Sequence, residues 1–155
     1  MNLTAELQKM REKAESYYLA GDFYCSETVL KVICEKFATE LPDDIVSLAS
    51  AFPHGVGGSG CICGALVAGT MCLGMFFGRS AAEQDDKVKK AMELSKELHD
   101  LFKKKLKAAC CRVLTKGLER GSQEHKQQCA RIAGRVTEET ARIIIREKGE
   151  KILKP

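Results

Sequence analysis

From Ile45 to Gly78 the chain carries no Asp, Glu, Lys or Arg, although 30% of its residues are charged. The uninterrupted apolar part of this run, Cys61 to Phe77, is 17 residues long and holds three glycines and a threonine. A helix without a polar face either crosses a membrane or is surrounded by protein. Crossing takes about 20 apolar residues, no second segment of this kind exists, and the flanking sequence is amphipathic. The reading is a buried central helix with no membrane span. Such a helix needs partners on every side, so the rest of the chain has to supply a bundle around it.

Helical periodicity supplies those partners. Leu3, Leu7, Met10, Ala14 and Tyr17 mark a first helix ending near Ala20, where "AGDF" breaks the pattern. A second opens near Cys25 and buries Val29, Val32, Ile33 and Phe37. "TELPDD" closes it, and Pro42 starts a short helix through Ala49. After a polar joint from Arg79 to Gln84, a long amphipathic helix turns Val88, Met92, Leu98, Phe102 and Leu106 inward. Ser122 caps a last helix whose stripe runs through Cys129, Ile132, Ala133, Val136, Thr140, Ile143 and Ile144. No period-two strand is visible. The expected fold is all-α, a single domain over residues 1–155 built as a bundle of five to six helices with the Gly/Cys-rich helix at its centre.

The net charge of +4 divides unevenly: residues 1–78 carry 5 basic and 9 acidic side chains, residues 79–155 carry 20 and 12. In the basic half the lysines alternate with acids along helices, and the chain has no Trp. This describes a solvated helical face rather than a nucleic-acid surface, so no nucleic-acid partner is expected. The opening residues read as an amphipathic helix, not a secretion signal, which places the chain in the cytoplasm.

Eight cysteines in a cytoplasmic chain point to metal or redox chemistry, because structural disulfides are disfavoured there. The segment "GVGGSGCICGALVAGTMCLG" concentrates the signal. Its loop, with Gly57, Gly58 and Gly60, can aim backbone N–H groups inward, and a helix start near Cys63 favours thiolate. Gly64 belongs to a stripe of small residues, Cys61, Gly64, Ala65, Ala68, Gly69 and Cys72, which permits close approach of a helix or a compact cofactor. These four glycines are the candidate cofactor-contacting backbone. A phosphate loop of the P-loop type fits less well, since the Lys-Ser/Thr pair it needs after its glycines is replaced by Cys61, Ile62 and Cys63.

At these residues the chain resembles the family of redox-active proteins named for a C-GCAxxG-C-C cysteine pattern, and the resemblance covers nearly all of it. "CSETVL" matches the first cysteine block at Cys25, "CGALVA" the second at Cys63, "CRVL" the third at Cys111 and "QQCARIAGRV" the fourth at Cys129. Ala68 stands where the family motif has glycine. The resemblance implies redox activity and metal or cluster binding through Cys25, Cys63, Cys111 and Cys129. Four thiolates match the usual ligand count of an iron–sulfur cluster. Arg112, next to Cys111, is the expected charge partner of that thiolate.

Alternatives stay open at this level. His125 and Cys129, four residues apart, could join Cys63 and His54 in a zinc site, although a solvent-exposed His125 is the commoner outcome; His99 reads as a helix-surface residue. A metal-free thiol–disulfide protein or sensor is a second alternative. Of the remaining cysteines, Cys34 and Cys72 read as packing, Cys61 as the extra functional candidate, and Cys110 as too strained to pair with Cys111. The expected partner is an oxidoreductase or electron-transfer protein, and the small-residue stripe could also serve as a homodimer face.

Overall fold

A computed structural model describes residues 2–38 and 40–153; Thr39, within the break expected after the second helix, lies outside the described residues. Six α-helices and no strand occur among these residues: α1 (Leu3–Leu19), α2 (Cys25–Phe37), α3 (Gly64–Phe77), α4 (Asp85–Leu106), the single turn α5 (Cys111–Leu114) and α6 (Gln123–Lys148). Short 3-10 segments occupy Asp43–Ala49 and Glu150–Ile152. The all-α bundle read from periodicity is the fold. No helix among the described residues is long and apolar enough to cross a membrane.

Helix α3 is the axis. It packs against α2, α4 and α6, while α1 lies along α6 and closes the outer side of α2. Gly64, Ala65, Leu66, Ala68, Gly69, Cys72 and Leu73 are all buried, so the missing polar face has a direct cause. The small residues bring the neighbours in. A Cβ on Gly69 would lie 2.7 Å from Leu98 Cδ2, 2.8 Å from Val136 Cγ1 and 2.9 Å from Thr140 Oγ1. The stripe from Ala65 to Cys72 is therefore consumed inside the chain by α4 and α6. It is not a free face for a second copy, and the homodimer expectation has no support here.

Two boundaries differ from the periodicity reading. The central helix begins at Gly64 with Cys63 as its N-cap, so Cys61 belongs to the preceding loop. On α4, Leu94 replaces Met92 as an inward residue: Leu94, Leu98 and Phe102 are buried at i, i+4 and i+8, whereas Met92 is 66% exposed. Met92 lies two residues out of phase with that row, on nearly the opposite side of the helix. The α6 cap is as expected, with Ser122 Oγ accepting from the His125 N–H at 3.2 Å.

Some cations of the basic half bridge helices. Arg146 grips Glu97 with two bonds of 2.7 and 2.8 Å, Lys90 reaches Glu147 and Lys105 reaches Glu139, all between α4 and α6. Arg11 reaches Glu138 between α1 and α6, and Lys13 and Lys36 join α1 to α2 through Glu35 and Glu6. These surface pairs set orientation more than stability.

Gly69→Ala should lower the unfolding free energy by about 1–3 kcal/mol, because the added methyl has no room in this core. Urea denaturation checks this; an unchanged midpoint would contradict the close packing of α3 on α4 and α6.

Candidate functional site

Four cysteines that are distant in sequence line one cavity near the N-terminal end of α3, together with Tyr18, Tyr24, His54, Gly64, Leu114, Thr115 and Ile132. Each arrives on a different element. Cys25 is the first residue of α2, Cys63 caps α3, Cys111 opens the α5 turn, and Cys129 sits in the second turn of α6. The amino ends of α2 and α3 thus face the cavity, and their dipoles favour negative charge there.

Gly64 makes the convergence sterically feasible. A Cβ at this position would lie 2.9 Å from Cys25 Sγ and 2.9 Å from the Phe52 carbonyl oxygen. The Cys25 sulfur occupies space that any other residue at 64 would fill. Cys111 is brought to the same wall by backbone pairing: the Cys63 N–H donates to the Ala109 carbonyl at 2.8 Å, and the Arg112 N–H to the Gly60 carbonyl at 3.0 Å.

Between these two bonds Cys61 and Cys110 form a disulfide, their Cα atoms 4.4 Å apart. Periodicity had no means of foreseeing this pair. Cys61 and Cys110 meet only because residues 60–63 and 109–112 run side by side in opposite directions. The other six cysteines are free, with Cys34 and Cys72 buried in the core away from the cavity.

Burial dominates the thiol chemistry. It pushes Cys25 up to about 12, with Cys63 and Cys129 close enough to add repulsion. Cys63 is pushed up to about 11, again by burial. Its side chain makes no capping hydrogen bond, yet the N–H groups of Leu66 and Ala65 face the sulfur and offset part of the burial. Burial also raises Cys129, against hydrogen bonding from Tyr18, and Cys111, against Thr115 and the charge of Arg120. Arg120, not Arg112, is the cation acting on Cys111; the Arg112 side chain is exposed.

His125 corrects another expectation: its side chain is buried, 3% exposed, rather than solvated. Its Nδ1 accepts from the Gly121 N–H at 3.4 Å, which leaves the proton on Nε2, 3.7 Å from Cys129 Sγ. His125 thus presents an N–H toward a cavity sulfur. The His54 ring stacks on it at 5.8 Å and meets Tyr24 edge-on at 5.3 Å. Burial, followed by the charge of Arg120, lowers both imidazoles below the ordinary histidine value, so both are neutral at pH 7. His99 lies apart on α4 beside Asp100.

The glycine loop does less than its sequence suggests. The N–H groups of Val56, Gly58 and Gly60 are bonded to the carbonyls of Phe52, Pro53 and His54, within the loop itself. Gly64 alone of the four candidate glycines lines the cysteine cavity; Gly58 and Gly60 line a neighbouring basic pocket, and Gly57 lines neither. As the side chains stand, no group of three or more His, Cys, Asp or Glu among the described residues is spaced to hold a metal ion. That holds alike for the mixed Cys/His set and for Cys25, Cys63, Cys111 and Cys129.

Fold and site together define a small helical protein with a cavity shared by four thiols, Cys63 buried and Cys25, Cys111 and Cys129 half-buried. Residues 23–143 match the family model described as "Putative redox-active protein (C_GCAxxG_C_C)", and the chain belongs to that family. No curated protein and no solved structure matches it.

In the metal-free, reduced protein, alkylation of Cys25 and Cys63 at pH 8 should run at least tenfold slower than that of an ordinary thiol with a value near 8.5. The rate should climb as pH approaches 11. Peptide mass mapping after timed iodoacetamide exposure checks this; labelling of both at the free-thiol rate would contradict the buried, protonated state.

Proposed function

We propose that the protein is a small redox carrier in which Cys25, Cys63, Cys111 and Cys129 hold an iron–sulfur cluster. The observation that carries this reading is the arrival of four cysteines from four helices at one cavity, with Gly64 stripped of a side chain beside the Cys25 sulfur. The donor set fits: four thiols equal the protein ligands of a [2Fe–2S] or [4Fe–4S] centre. The cavity's free space is about 20 Å³, room for one water-sized guest, so the four cysteine side chains would have to move apart to hold a cluster.

Bound there, the cluster supplies one-electron exchange. The chain's own residues hold and shield it. Cys25 and Cys63 lose their protons on loading, so assembly releases protons and weakens as pH falls. His125 Nε2–H donates toward the Cys129 sulfur, and the amino ends of α2 and α3 compensate the added negative charge. Ile132 and Leu114 exclude water. The electron partner on this reading is an oxidoreductase or electron-transfer protein.

Anaerobic reconstitution should give a coloured protein with iron and acid-labile sulfide. Cys63→Ser should lose most of both, while Cys34→Ser retains them. A colourless product, or equal loading of the two variants, would reject the assignment.

The Cys61–Cys110 pair favours a second reading, thiol–disulfide exchange with a dithiol protein. The partner's thiolate attacks the exposed Cys61 sulfur and Cys110 leaves as a thiolate. The partner's second thiol then resolves the mixed disulfide, so two electrons pass to the pair and the partner departs as a disulfide. Mild reduction should release two thiols per chain. It should also lower stability by about 2–4 kcal/mol, since the bond closes a loop of 49 residues. An unchanged thiol count would remove this reading.

A further inference from the structure

Beside the cysteine cavity lies a second concavity of about 420 Å³, walled by His54, Gly58, Ser59, Gly60, Cys111, Arg112, Thr115, Lys116, Arg120 and His125 among others. Its lining includes three cations and no carboxylate. Among the described residues no Asp or Glu pairs with Arg112, Lys116 or Arg120; other surface cations such as Lys103 and Arg131 share that state, but these three gather at one hollow. Glu119, the acid next to Arg120 in sequence, neither lines the pocket nor pairs with it.

The glycine loop seats these cations. A Cβ on Gly60 would press on the Arg112 stem at 3.1 Å, and Arg120 Nη1 lies 3.8 Å from the corresponding point at Gly58. The bare backbone at Gly60 lets Arg112 stand against the loop, and Arg120 lies at ordinary contact distance from Gly58. The Arg112 backbone is held as well, by its N–H bond to Gly60. Three like charges gathered around one hollow repel one another, and no carboxylate lines that hollow to offset this. Their convergence on a concavity, instead of a flat stripe, favours a small ligand over an extended acidic partner.

We propose that this pocket binds a small molecule through a phosphate-type dianionic group, held by Arg112, Lys116 and Arg120 and abutting Cys111. Guanidinium forks match the paired oxygens of such a group, and Lys116 adds a point charge. The neutral His54 and His125 rings form part of the inner wall, and Cys111 and Thr115 border both this pocket and the cysteine cavity. The proposal does not rest on what the cysteines hold, since none of the three cations lines the cysteine cavity.

The test uses the full-length, metal-free chain, titrated calorimetrically with inorganic phosphate and with pyrophosphate at ionic strength held constant with KCl. Saturable one-site binding is expected, weakened at least tenfold in Arg120→Gln and lost in Arg112→Gln/Lys116→Gln, with Arg142→Gln unchanged. Circular dichroism verifies that each variant is folded. Cys63→Ser, at a residue that does not line the basic pocket, should keep anion binding even though it loses cluster loading, which separates the two assignments. Absence of saturable binding by both probes, equal weakening in Arg142→Gln, or tighter binding of a hexaglutamate peptide than of pyrophosphate would overturn the proposal.

Discussion

The close approach of Cys25 to Gly64 is the contact on which the site depends. With its sulfur where a Cβ of residue 64 would stand, the amino end of α2 meets the amino end of α3. Any larger residue would push α2 away and open the wall that Cys25 contributes. That approach goes with the buried inner face of α3, while Val67, Thr70, Met71 and Gly74 form a partly exposed strip on its outer side. A central helix without charge is held by α2, α4 and α6, and its first residues emerge in the middle of the molecule. Burial of α3 is thus the packing requirement that places Cys63.

Cys111 reaches the cavity by a different route. The α5 turn is too short to be positioned by its own packing. Backbone bonds from Cys63 to Ala109 and from Arg112 to Gly60 dock it, and the Cys61–Cys110 bond lies between them. The redox state of that pair bears on the wall that carries Cys111. One segment, 60–63, therefore serves three purposes: it caps α3, supplies half of the disulfide, and forms part of the floor of the basic pocket.

Much of this was legible from sequence because it rests on local pattern. The absence of charge from Ile45 to Gly78 implied the buried helix, and periodicity gave the helices around it. The four cysteine blocks were legible by their order, which is a resemblance and not a consequence of spacing. Contacts between segments far apart in sequence were not legible. The Cys61–Cys110 pair and the action of Arg120 on Cys111 depend on how 60–63 lies against 109–112. The burial of His125 depends on the His54 loop covering the start of α6. Met92 was misplaced for a simpler reason: Met92 and Leu94 are both apolar on α4, and only the register of α3 and α6 decides which faces inward. The glycine loop misled because its N–H groups satisfy its own carbonyls.

The central claim is that four sulfurs from four helices serve one bound group. A crystal structure of protein prepared and frozen without oxygen tests it most directly. The account predicts continuous density joining a single iron-containing group to the sulfurs of Cys25, Cys63, Cys111 and Cys129. Iron bound at other residues, or these four thiols turned away from one another after iron has been supplied, would contradict it.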